Sequence, residues 1–64
     1  MRLFSLLFDR DGEERRIDFE ARDPSAAFDL AEREGHEREM QLYEGDTHLG
    51  TIEDMGGFWR LSAA

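Results

Sequence analysis

Two histidines and sixteen carboxylates supply most of the acid–base and metal-ligating capacity of this 64-residue chain. His36 stands in "EGHERE", among Glu34, Glu37 and Glu39. His48 follows Asp46 by two residues in "GDTH", a spacing that shares one face of a strand. A metal site of two histidines and a carboxylate would need these segments to meet in space. Neither spacing matches a ligand motif, so both histidines are expected to be exposed beside acids, with no metal and no cofactor. None of Ser5, Ser25 and Ser62 lies in a G-x-S-x-G elbow, and no cysteine offers a thiolate. Gly56-Gly57 alone does not make a phosphate cradle. Carboxylate pairs are so frequent in this sequence that choosing a general acid and base would be arbitrary. No catalytic residue is assigned, and the chain is expected to be a non-enzymatic binder.

The stretch "EDMGGFWRLSAA" carries the one feature that suggests recognition. Two glycines run into Phe58 and Trp59, the only tryptophan. A Gly-Gly reversal delivers the next residues to opposite faces of a strand. Trp59 and Leu61 then share the core side, where Trp59 is expected to lie under a helix against Phe28 and Leu30. Phe58 and Arg60 are left on the other side.

The net charge of −8 argues against direct nucleic-acid binding or attachment to anionic membranes, both of which draw on clustered cations. All eight basic residues are arginine; lysine, asparagine and valine are absent. A GC-rich genome accounts for the first two absences. Without cysteine, a chain this short depends on packing or self-association for its stability. The opening "MRLFSLLFD" has too short an apolar run for a signal peptide and no segment reaches membrane-spanning length, so a cytoplasmic location is expected.

The elements that must position these residues follow from periodicity. "LFSLLF" (3–8) and "RRIDFEA" (15–21) read as strands: Phe4, Leu6 and Phe8 share a face, as do Ile17, Phe19 and Ala21. Asp11-Gly12 between them signals a hairpin, with a loop expected to exceed two residues. "RDPSAAFDLAEREGH" changes to helical period: Asp23 suits the N-cap, Pro24 the first helical position and Gly35 the stop. "REMQLYEG", "THLGTIED" and "GFWRLS" close the chain as three strands. Leu49 and Ile52 cannot share a face in an unbroken strand, which places a bulge or bend at Gly50. The sum is one α+β domain over residues 1–64, a two-layer ββαβββ sandwich with one helix on one face of a five-stranded antiparallel sheet. Strand order 2-1-3-4-5 keeps all neighbours antiparallel; a β-grasp-like order is the alternative.

One helix cannot cover both faces of the sheet. The open face is expected to carry Leu7, Tyr43, Phe58 and Arg60, together with Arg16, Asp18, Glu20 and Gln41. That mixture, or a free strand edge, suits a protein partner or a homodimer. The competing reading is an acidic inhibitor, of the kind phages and mobile elements encode, that occupies the nucleic-acid site of a basic protein. Its carboxylate tracks would be Asp9, Asp11, Glu13 and Glu14, or Glu32, Glu34, Glu37 and Glu39. Arg10, Arg15, Arg33 and Arg38 dilute both.

Overall fold

The computed structural model describes residues 1–34 and 38–64, with residue 34 described by its backbone alone. Five strands and one helix follow in the order β1 (Arg2–Arg10), β2 (Glu13–Ala21), α1 (Ala26–Glu34), β3 (Glu39–Glu44), β4 (Thr47–Asp54) and β5 (Trp59–Ala63). They form a single sheet of order β2-β1-β3-β4-β5, with every neighbouring pair antiparallel. The fold is therefore the α+β sandwich expected from the periodicity, in the 2-1-3-4-5 order rather than the β-grasp one.

The first hairpin is tighter than expected. Pairing runs from Arg2↔Ala21 to Arg10↔Glu13, leaving only Asp11 and Gly12 in the turn. Both have positive φ, 54° and 82°, as a type I′ reversal requires. The charged residues Asp9, Arg10, Glu13 and Glu14 are strand residues here, because backbone pairing continues past the last apolar side chain.

The helix begins at Ala26, two residues after the expected first helical position Pro24. Pro24 and Ser25 form a turn, with the Ala27 N–H donating to the Pro24 carbonyl at 3.0 Å and the Phe28 N–H to the Ser25 carbonyl at 3.1 Å. The Asp23 carboxylate accepts the Ser25 N–H at 2.9 Å and also the Ser25 hydroxyl. This is an Asx turn that satisfies the Ser25 N–H just ahead of α1. The expected stop at Gly35, together with His36 and Glu37, lies outside the described residues.

The buried core is Phe4, Leu6 and Phe8 of β1, Ala21 of β2, Ala27 and Ala31 of α1, Met40 and Leu42 of β3, and Ile52 of β4. The alanines on α1 let its backbone approach the sheet, and Phe28 and Leu30 flank the contact half-buried. Phe4 stacks on Phe19 across the first hairpin, ring centres 5.4 Å apart. Gly50 sits at the expected irregularity: Leu42 pairs with Gly50 but Tyr43 with His48, so Leu49 is the extra residue of a bulge.

β5 adds nothing to the buried core. A helix about 10 Å across cannot span a five-stranded sheet roughly 19 Å wide. Trp59, expected as a core anchor, packs against the core from its rim and is only half-buried, while Leu61 beside it is 39 % exposed. No helix among the described residues is long and apolar enough to cross a membrane.

Candidate functional site

The open face is a ladder of polar side chains bonded to one another across the strands. Ser5, only 3 % exposed, donates its hydroxyl to Asp18 at 2.7 Å, and Arg16 donates to the same oxygen at 2.8 Å. These contacts, the Ser5 bond foremost, hold the Asp18 carboxyl below its ordinary value. Gln41 accepts the Thr51 hydroxyl at 3.0 Å and lies 2.8 Å from His48 Nε2; the His48 ring stands against Tyr43 with centres 4.9 Å apart. Arg60 and Ser62 both donate to Glu53, at 3.2 and 3.3 Å.

Of the four residues expected to form one open-face patch, Leu7 and Tyr43 line one groove together across β1 and β3, whereas Arg60 and Phe58 lie apart from them. Leu7 is half-buried on β1, Tyr43 is half-buried against His48 on β3, and Arg60 is tied to Glu53 at the far side of the sheet. Phe58 precedes β5 rather than belonging to it, so strand alternation does not fix its direction. It lies by a groove of about 360 Å³ with Glu32, Asp54, Gly57 and Trp59, at the helix side of the turn and away from Tyr43.

Of the five exposed large apolar side chains among the described residues, Met1 and Leu3 lie at the start of β1 and the other three lie at or just before β5. Met55, Phe58 and Leu61 are 41 %, 63 % and 39 % exposed, with half-buried Trp59 among them. The Gly56-Gly57 reversal separates Met55 from Phe58: the Asp54 carboxylate accepts the Gly56 N–H at 2.9 Å and the Met55 N–H donates to the Phe58 carbonyl at 2.8 Å, with Met55 beside Arg38, Glu39 and Glu53 and Phe58 beside Glu32 and Trp59.

β5 is also one of the two sheet edges, and the edges differ in chemistry. β2 reads EERRIDFEA and carries a charge at six of its nine positions, the usual protection of an edge against strand addition. β5 reads WRLSA, with Arg60 its sole charge and no carboxylate. The outward backbone groups of β5 follow from its pairing with β4. Met55 N–H bonds to Phe58, and Ala64 N–H bonds to the Leu49 carbonyl at 3.1 Å. Hydrogen-bonded pairs alternate along an antiparallel ladder, so Arg60 and Ser62 also face β4. Trp59, Leu61 and Ala63 turn their N–H and C=O groups outward.

The acidic residues meet in a way neither sequence track showed. Asp9 pairs with Glu14 across β1 and β2, Glu39 pairs with Glu53 across β3 and β4, and Asp9, Glu14 and Glu39 line one groove of about 280 Å³. Register thus draws Asp9 and Glu14 from the first track and Glu39 from the second into a row, and adds Glu53, which sequence spacing did not single out. Asp11 stays in the hairpin turn, Glu13 pairs with Arg15 at 2.9 Å, and Glu32 is exposed on α1. Glu37 and the Glu34 side chain lie outside the described residues. Among the described residues no three His, Asp or Glu side chains are grouped to hold a metal ion. Comparison with protein-family models, with curated proteins and with solved structures gives no match to this chain.

Proposed function

We propose that this chain is a small non-enzymatic interaction module that binds a protein partner by strand addition at β5, with Phe58, Leu61 and Met55 as apolar contacts. The observation that carries the reading is the asymmetry of the sheet edges. β5 combines outward backbone donors and acceptors, three exposed large apolar side chains at or beside it and no carboxylate, whereas β2 is charged at six of its nine positions. In strand addition, main-chain hydrogen bonds supply affinity and alternate side chains supply selectivity. The open face is the weaker surface because its polar groups already bond to each other.

Selection from a displayed library of random peptides tests this. Extended peptides are expected to be recovered, and their binding to be lost in Ala63→Pro, which removes an outward N–H, and in Leu61→Lys. Binding that survives both variants but is lost in Tyr43→Ala would move the site to the open face and refute the edge.

A second reading rests on the carboxylate row. Like charges directly opposite each other destabilise a sheet, and this sheet has two such pairs, Asp9–Glu14 and Glu39–Glu53. A basic nucleic-acid-binding protein would compensate that cost. Displacement of such a protein from a fluorescent DNA duplex, weakening as salt rises and lost in Glu39→Arg, is the outcome this reading requires.

A further inference from the structure

We infer that the strand added to β5 is β5 of a second copy of this chain, paired antiparallel about a two-fold axis through Leu61. The inference rests on the edge reading above and goes beyond it in naming partner and register.

The outward-facing residues are Trp59, Leu61 and Ala63, a set symmetric about Leu61. An antiparallel partner placed with Leu61 opposite Leu61 aligns Trp59 with Ala63 of the second copy, and Ala63 with its Trp59. All three pairs are then of the hydrogen-bonded kind, giving roughly six inter-chain N–H···O bonds. Sliding the register by one step, so that Arg60 faces Arg60, loses bonds and sets like charges opposite each other. In the centred register Arg60 faces Ser62 of the second copy, whose hydroxyl lies 3.3 Å from its own Glu53. The centred register thus keeps the two Arg60 side chains apart, each on its own Glu53.

Side-chain chemistry favours the same arrangement. The two-fold axis stands perpendicular to the sheet, so the helices of both copies lie on one side, with Trp59, Leu61 and Ala63 of each chain between them. Leu61, which α1 does not cover, is then covered by its own counterpart. Charge selects the edge as well. At a net charge of −8, two copies repel except where carboxylates are absent, and β5 is the one strand without any.

The test joins sedimentation equilibrium with disulfide trapping, which the absence of native cysteine makes clean. The wild-type chain is expected to dimerise between roughly 5 and 500 µM, the range for an interface at the small end of the specific class. Dimerisation is expected to strengthen with salt as the like charges are screened. Leu61→Cys is expected to cross-link under mild oxidation, because Cα atoms of a hydrogen-bonded pair lie about 5.5 Å apart. In Arg60→Cys the two thiols sit on Cα atoms about 8 Å apart and cross-link at least about tenfold more slowly. Leu61→Lys is expected to be monomeric with an unchanged circular dichroism spectrum, and Ala63→Pro repeats the test by removing a donor. A wild-type monomer throughout the range overturns the self-pairing alone, and the edge reading is then decided by the peptide selection. A dimer that ignores Leu61→Lys and Ala63→Pro and does not cross-link at residue 61 overturns both.

Discussion

Replacing Gly50 by alanine probes the seam that holds β5 in place. A Cβ built on Gly50 would lie 2.3 Å from the carbonyl oxygen of Ser62 on β5 and 3.1 Å from the Cα of Ala63. The first contact is about 1 Å inside van der Waals separation, and the atom struck is backbone, which no rotamer change can move. Overpacking of this kind costs about 1–3 kcal/mol. The Gly50 φ of 157° is one that residues with a Cβ rarely adopt, which adds roughly 1–2 kcal/mol. The sum, about 2–5 kcal/mol, is a large share of the ~3–10 kcal/mol that stabilises a domain of this size. β5 offers an escape, since none of its side chains is fully buried. Shifting away from β4 relieves the clash at the expense of the edge ladder, so the loss is expected at about 2–3 kcal/mol.

The assay is urea unfolding followed by two probes. Trp59, the sole tryptophan, reports β5 by fluorescence, while far-ultraviolet circular dichroism reports the sheet and helix as a whole. In the wild type the two curves are expected to coincide. In Gly50→Ala the fluorescence transition is expected to move to lower urea ahead of the dichroism. Gly45→Ala is the control: its Cβ meets nothing within 4 Å and its φ is +58°, so it bears only the left-handed penalty of about 1 kcal/mol, with both probes together. Superimposed curves for Gly50→Ala within about 0.5 kcal/mol of wild type would refute the steric argument.

Two further outcomes follow from the fold. Leu42→Ala, at a fully buried position on β3, is expected to cost about 2–5 kcal/mol in chemical denaturation, through lost burial and the cavity left behind. Glu44 accepts two bonds from Arg2, at 2.8 and 2.6 Å, which hold its carboxyl below the ordinary value. A folded-state value depressed in this way adds stability above the ordinary carboxylate range, and that stability is lost as pH falls through the folded value. The melting-temperature gap between wild type and Glu44→Gln is therefore expected to be widest near neutrality and to close in acid. A gap that is constant from pH 7 to pH 2 would remove the ion pair as its cause.

What the sequence made legible was local. Asp23-Pro24 announces the turn that leads into the helix, because an Asx side chain bonds the backbone two residues on, while α1 itself starts only at Ala26. The Gly50 irregularity shows because Leu49 and Ile52 violate a two-residue period. The length of the first hairpin is not legible in the sequence, because apolar alternation stops at Phe8 while backbone pairing runs on through Arg10. The half-burial of Trp59 is not legible either, since its face follows from parity but the lateral reach of the helix does not. Phe58 lies outside any strand, so strand parity does not set its direction. The carboxylate row was hidden because adjacency between Asp9, Glu39 and Glu53 is a property of register, which unites residues dozens of positions apart.

The charged β2 strand has a consequence for growth. A sheet with two receptive edges can recruit copies without limit and polymerise into a fibre. Under the strand addition proposed for β5 only one rim is receptive, because the opposite rim carries six charges along nine residues. Whatever docks on β5 therefore ends the series: a foreign strand caps the sheet, and a second copy presents only its own charged rim to solvent. The molecule can be adhesive at one margin and still remain a discrete particle, its stoichiometry limited by the strand farthest from the contact.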